Sequence, residues 1–520
     1  LGKSPRPSKS DPPRPGEKSA VKLEEFPEEI RPFLLPKPKG QMVYRCLGCH
    51  AELDIAELLY TCPECGGLLL LHDKNVAYLE EVGGTTWRKI FDYRRMLNHG
   101  ALKGIFRYYE FIAPILPLEQ IIYLGEGHTP MIEANHRLKE MAGVNFYFKN
   151  DGLNPSASFK DRGMACALSF LSYLAKKENL SGLLAICAST GDTSAAAALY
   201  ASYLEDLLKS AVLLPQGKVT PQQLSQPLGS GAKVLEIPGV FDDCMKVVES
   251  LADDYHVALL NSKNSWRILG QESFSFEIAQ DFDYEIGNTV VVVPIGNAGN
   301  ITAVMSGFLK FAKFGIIEKL PKIVGVQSRH ADPVYRYYQE QDPKKRRFTP
   351  VTVRPSVAQA AMIGNPVSMP RVVRLVEEYN CLAGEKRIFV VQVSEQEIMD
   401  AMILANRNGN IACTQGGESF AGLQKAVGAR YVRPHETAVL DSTAHVLKFS
   451  IFQDMYFRDA FDPQFQVHPK EELKNKPISV RPETLTEYPE HGRPLSGQDM
   501  ELFVRETALE IARILDLKKK

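Results

Sequence analysis

Between residues 145 and 328 the chain alternates short, almost wholly apolar runs with longer amphipathic ones, and this rhythm limits the possible architectures more than any other feature. NFYFKND precedes FKDRGMACALSFLSYLAKK, LLAICAS precedes TSAAAALYASYLEDLL, and TVVVVPIG precedes NITAVMSGFLKFAKF. The apolar runs have the length of strands buried on both faces, and the segments after them are long enough to form the covering helices. Regular alternation predicts βαβ units, and hence an α/β protein whose mostly parallel sheets carry helices on both sides. Ligands of such sheets bind where a strand ends and a helix begins.

A chain of 520 residues is too long for one ordinary domain. Residues 1–40 are rich in Pro, Lys and Ser and are expected to be disordered; 41–75 form a cysteine-bearing module; 76–130 form a helical connector. Residues 131–449 hold the α/β core in two subdomains, and 450–520 form a C-terminal extension that ends in a helix. Leu1 in place of an initiating Met leaves room for an upstream segment. With 24% charged residues and a net charge of -1, nothing in the composition favours nucleic acid or a membrane surface. No apolar stretch approaches the ~20 residues of a membrane span. Nine cysteines, four in two tight pairs, suit a reducing compartment with a metal site, and the cytoplasm is the expected location.

Three strand-to-helix turns carry unusual chemistry. In NPSASFKDRG at 154–163, Lys160 opens a helix. The positive end of a helix favours the neutral form of a lysine, the form needed for covalent attachment to a carbonyl, although a lysine in a first turn is more often a plain surface residue. In STGDTSAAA at 189–197, hydroxyls and N–H groups at a helix start can wrap an anion, or Thr190, Asp192 or Thr193 can simply cap the helix. In PIGNAGNITA at 294–303, two glycines let the backbone curl so that N–H groups and the dipole of a helix from Ile301 meet at a phosphate. A lysine, an anion wrap and a phosphate cup on one sheet are the parts that hold pyridoxal phosphate (PLP) beside a substrate carboxylate.

These stretches resemble the motifs of the threonine synthase branch of the tryptophan-synthase-β-like, fold type II, PLP enzymes. NPSASFKDRG is similar to the PLP-lysine motif NPTGSFKDRG, STGDTSAAA to the substrate-carboxylate loop, and GNAGNITA to the phosphate cup. LGEGHTP at 124–130, IGNPVSM at 363–369 and DSTAHVLKF at 441–449 follow the family order as well. The resemblance implies two open, twisted, mostly parallel sheets. It implies that Lys160 binds PLP as a Schiff base and then acts as general acid and base. Gly296, Asn297, Ala298, Gly299 and Asn300 are expected to hold the cofactor phosphate, Thr443 to face the pyridine nitrogen, and Asp192 to lie near the 3′-oxygen. Ser156, Ser189, Thr190, Gly191 and Thr193 are the expected substrate contacts. The implied reaction turns O-phospho-L-homoserine and water into L-threonine and phosphate by γ-elimination and β-addition, in a homodimer.

Three positions depart from the family forms. Asp192 stands where many fold type II members carry Asn near the 3′-oxygen, although some threonine synthases also read GDT. His128 replaces Asn in GEGNTP and is given no role. Met362 falls where some threonine synthases carry an Arg before IGNP, so Lys263, Arg267, Arg354 or Arg371 must supply a cation for the substrate phosphate, or the substrate differs. A related enzyme acting on phosphoserine, as a cysteate synthase does, or a threonine dehydratase is the alternative. Cys46-Leu-Gly-Cys49 and Cys62-Pro-Glu-Cys65, the second followed by Gly66-Gly67, have the spacing of a zinc ribbon. Four thiolates with no open position predict a structural Zn²⁺, in a module separable from catalysis. The same pairs raise a different class, a zinc-ribbon binding protein with a degenerate PLP fold, but the module has too few basic residues to grip nucleic acid.

Overall fold

The computed structural model describes residues 23–180, 182–189, 191–204, 207–216, 221–238 and 241–519. The disorder expected for residues 1–22 and the role expected of Thr190 therefore lie outside the described residues. The chain divides into two compact units, Leu1–His468 and Pro469–Lys520.

Strands β1 (Met42–Cys46), β2 (Glu52–Asp54) and β3 (Leu69–Asp73) form an antiparallel sheet in the order β2-β1-β3. After the connector, β4 (Met131–Glu133) and β5 (Asn145–Asn150) begin a larger sheet. The chain then crosses to a second sheet made of β6 (Leu184–Ala188), β7 (Lys209–Pro215), β8 (Lys233–Ile237) and β9 (Val257–Leu259). It returns to the first with β10 (Thr289–Pro294), β11 (Lys322–Ser328), β12 (Ile388–Val393) and β13 (Thr437–Ser442). The large sheet runs β12-β11-β10-β13-β5-β4, and only β4 is antiparallel; the small sheet runs β8-β7-β6-β9, all parallel. Every residue of β10 is buried, which explains why TVVVVP lacks the alternation of a one-sided strand. The α/β reading with two parallel-rich sheets holds.

Residues 23–40, expected to be disordered, are ordered. Phe26, Ile30 and Leu34 recur every four residues, and all three are buried in the main core, with Phe26 edge-on to Tyr93. Helical spacing of apolar residues within a Pro-rich stretch is the signal that composition masked. The connector is helical at Ala77–Val82 and Gly84–Arg94, and Trp87 and Phe91 join Phe111 and Phe311 in an aromatic cluster that fastens it to the core. Residues 450–468 belong to the first unit. The second unit ends in the helix Gly497–Ile514, of which no residue is buried. No described helix is long and apolar enough to cross a membrane.

Candidate active site

The segment around Lys160 is held by buried charge. Lys160 opens the helix Lys160–Lys177, and the next two residues fix that start in place. Asp161 Oδ2 accepts from the backbone N–H and the hydroxyl of Ser156, at 3.0 and 2.9 Å, which closes the turn. Arg162, fully buried, bonds Asp151 through Nε and Nη2 at 2.8 Å each and Glu277 through Nη1 at 2.5 Å. Glu277 also pairs with Lys149 at 3.0 Å, and these cations hold its carboxyl well below the usual range despite burial. Gly163 and Gly270 let two helices touch, because a Cβ on Gly163 would lie 2.9 Å from the carbonyl of Arg267 and one on Gly270 would lie 2.3 Å from that of Arg162. The FKDRG sequence is thus a structural clamp around Lys160.

A cavity of about 1640 Å³ opens at the carboxyl ends of strands from both sheets. Lys160 lines it, together with Ser189, Gly191, Asp192 and Thr193 after β6, Gly296, Asn297, Ala298, Gly299 and Asn300 after β10, and Thr443 after β13. Four segments far apart in sequence therefore converge. Ser156, expected as a substrate contact, is fully buried outside the lining, and its hydroxyl donates to Asp161. The cup differs in detail from the expectation. Its helix, Gly299–Lys313, begins two residues before Ile301, and the left-handed turn falls on Ala298, at φ 62°, rather than on a glycine. Gly296 is required for another reason: a Cβ there would lie 3.0 Å from the Cα of Ala361. First-turn N–H groups of a helix have no intrahelical acceptor, so the cup offers unsatisfied donors to an anion.

The cations considered for the substrate phosphate separate clearly. Arg267 is buried and lines the cavity; Nη1 donates to the carbonyl of Leu260 at 2.9 Å, and Nε has no hydrogen-bond partner. Burial pushes its guanidinium down to about 10. Lys263 also lines the cavity. Arg354 is exposed and outside the lining, while Arg371 is buried elsewhere and bonded to carbonyls and hydroxyls. Met362 lies in the cavity wall, next to Ala361 and the cup. Burial first, and repulsion from Arg267 second, push the Lys160 amine down to about 7, so it is largely neutral above that pH.

Three residues outside the sequence reading matter here. Lys448 pairs with Asp192 at 2.9 Å and donates to the carbonyl of Ser156 at 2.9 Å, tying the turn after β6 to the turn before Lys160. Its signal was available, because it lies in the DSTAHVLKF segment that begins at the end of a core strand. Asn261 bonds both the N–H and the carbonyl of Ala188, at 3.0 and 2.6 Å, and so positions the 189–193 turn. Asp441, fully buried, accepts from Asn300 of the cup at 2.6 Å while its Oδ1 is unpartnered. Burial raises its carboxyl well above the usual range. His128 is structural: its ring meets Arg107 at 2.8 Å and the carbonyl of Gly104 at 3.2 Å, and burial pushes it down to about 3.

In the cysteine module the four sulfurs of Cys46, Cys49, Cys62 and Cys65 lie within 4.8 Å of one another. Cys46 and Cys65 are 3.4 Å apart and Cys49 and Cys62 are 3.6 Å apart, close to the edge of a tetrahedron with metal–sulfur bonds of about 2.3 Å. The N–H of Gly48 points at Cys46 Sγ, 3.3 Å away, as suits a thiolate. The module shares the main core rather than hanging from it.

Residues 122–442 match the family described as pyridoxal-phosphate dependent enzyme. A threonine synthase of Methanocaldococcus jannaschii is 34% identical over 410 residues, covering 78% of this chain and 93% of that protein. The chain belongs to the threonine synthase family of PLP-dependent enzymes. It is a lyase of that family, and the cavity lined by both Lys160 and the start of the Gly299–Lys313 helix suits its cofactor. Threonine synthase 2, chloroplastic, of Arabidopsis thaliana is 33% identical, covering 76% of this chain and 74% of that one. The crystal structure of threonine synthase from Escherichia coli superposes with a TM-score of 0.59 at 20% identity, covering 79% of this chain and 90% of that one, and shares the fold.

Proposed function

We propose that this enzyme makes L-threonine and phosphate from O-phospho-L-homoserine and water. The observation that carries the reading is the placement of Arg267, a buried cation with an unpartnered Nε, in the same cavity as Lys160 and the cup at 296–300. One anion site at the cup and one at Arg267 match a cofactor phosphate and a substrate phosphate.

In this reading Lys160 holds the cofactor, the backbone N–H groups of Gly296, Asn297, Ala298, Gly299 and Asn300 hold its phosphate, and Thr443 faces its ring nitrogen. Bound PLP supplies an electron sink for the pair left at the substrate Cα. Lys160 Nζ, with its proton affinity lowered to about 7, is suited to take the proton at Cα and to move the one at Cβ near neutral pH. Ser189, Gly191 and Thr193 hold the substrate carboxylate at the helix start after β6. Asp192, clamped by Lys448, is held in the cavity wall, where it would lie near the cofactor's 3′-oxygen. Arg267 stabilises the departing phosphate dianion, the part that Met362 cannot play. The four cysteines hold a structural Zn²⁺.

Comparing kcat/KM for O-phosphohomoserine with water, phosphoserine with sulfite, and threonine alone tests the assignment. The expected order places phosphohomoserine first. Preference for phosphoserine would leave the PLP fold intact and replace the reaction.

A further inference from the structure

The buried Arg371, passed over by the cavity, joins the cysteine module to the site. Its guanidinium donates to the carbonyl of Leu69 from Nη2 at 2.6 Å and from Nε at 3.2 Å. The remaining N–H groups reach the carbonyls of Ser262 and Lys263, at 3.1 and 3.0 Å, and the hydroxyl of Ser368 at 3.2 Å. One side chain thus fastens three segments. Ser262 and Lys263 line the cavity and lead directly to Arg267. The N–H of Ser368 donates to the carbonyl of Asn297 in the cup at 3.1 Å.

Leu69 is set by the sulfurs. It pairs across the sheet with Cys46, and two residues earlier Gly67 sits so close to the cluster that a Cβ would meet Cys46 Sγ at 2.8 Å and Cys65 Sγ at 3.2 Å. Ser265 Oγ donates to the same Leu69 carbonyl at 2.8 Å. A second tie comes from Tyr60, whose hydroxyl accepts from the N–H of Leu259 at 2.8 Å, at the end of β9. The module therefore grips the 259–265 loop near both ends. If packing alone were needed, an apolar side chain would fill the place of Arg371 without the cost of burying a charge whose partners are the carbonyls of Leu69, Ser262 and Lys263 and the Ser368 hydroxyl.

We propose that Arg371 is a positioning residue through which the four-cysteine module sets the 261–267 loop and the 296–300 cup, so that emptying the cysteine site weakens cofactor and substrate-phosphate binding. The proposal rests on the reading that the cysteines hold zinc and the cavity holds PLP. It departs from the expectation of a module separable from catalysis.

The test uses the full-length holoenzyme and its Arg371→Met and Arg371→Lys variants. Hydrogen exchange should rise in 259–268 and 296–300 while Phe146–Phe148 in β5 stays protected, and the PLP dissociation constant and the KM for O-phosphohomoserine should each rise about tenfold or more with kcat changed far less. Arg371→Lys should recover part of the loss. Zinc content of Arg371→Met should stay at the wild-type level, and stripping zinc from the wild type with a chelator should raise exchange in the same two segments. Lower thermal stability with unchanged exchange and unchanged PLP affinity would overturn the proposal, as would chelation that leaves both segments protected. Purified protein that holds no zinc would sink the metal reading and, with it, the claim about emptying the cysteine site, while the arginine variants still test the positioning role of Arg371. Absence of turnover with phosphohomoserine would sink the reaction alone, since exchange and PLP binding need no substrate. If Arg371→Met does not fold, Arg371→Lys and Ser265→Ala carry the same measurements, and normal exchange and PLP affinity in both would overturn the proposal.

Discussion

Replacing Arg267 by Gln should move the pH at which Lys160 becomes reactive. Burial and the neighbouring Arg267 charge lower the Lys160 amine from 10.5 to about 7. At pH 8 that makes roughly nine-tenths of the amine neutral, against about 0.3% for an ordinary lysine, a difference of roughly 300-fold in reactive form. Because the shift is downward, reactivity is present above the folded value and lost as the pH falls through about 7. The same sign applies to stability: cofactor-free protein binds fewer protons folded than unfolded between about 7 and 10.5, so this group favours folding more as the pH rises through that window. The assay mixes cofactor-free protein with PLP between about pH 6 and pH 10, reads the rate of covalent attachment by absorbance, and confirms the site by borohydride trapping. Wild type should show a midpoint near 7. In Arg267→Gln the midpoint should rise, because the repulsion is gone, yet stay below the ordinary lysine value, because burial is the larger cause. A wild-type midpoint near the ordinary value refutes the burial argument, and an unmoved midpoint in the variant refutes the role of Arg267.

Lys160→Ala should lose covalent PLP and turnover while keeping its fold, with Lys149→Ala unsuitable as a control because Lys149 pairs with Glu277; mass spectrometry finding the adduct on another lysine would contradict the assignment. Arg267→Met should lower kcat/KM for O-phosphohomoserine by ten- to a hundredfold, about 1.5–3 kcal/mol for one charge-assisted contact, and a loss below threefold would point to another phosphate partner. Glu277→Gln should destabilise the protein by about 3–5 kcal/mol in denaturant unfolding, since it strands Arg162 and Lys149 in a buried site; a cost under about 1 kcal/mol would mean that Asp151 and Asp281 suffice. Metal analysis of protein purified without chelator should give about one zinc per chain, and Cys62→Ser should lose it.

The sequence by itself determined the parallel α/β plan, because strands buried on two faces must be apolar at every position and TVVVVP and LLAIC have no polar side to offer. It also marked the turns that line the cavity, since the lysine, the 189–193 turn and the 296–300 cup each follow a strand, and the paired cysteines announce themselves by spacing alone. What the chain could not display was convergence. Arg267 and Arg371 read alike as basic residues near motifs, yet one lines the cavity with an open Nε and the other is spent on Leu69, Ser262 and Lys263. Ser156 read as a substrate donor until Asp161, five residues on, took its hydroxyl. The tie from the cysteine module to the cup crosses from Leu69 to Arg371 to Ser368, some 300 residues apart in the chain. Hydrogen-bond partners of a buried polar group are chosen by which backbones pack beside it, and only the tertiary structure fixes that choice.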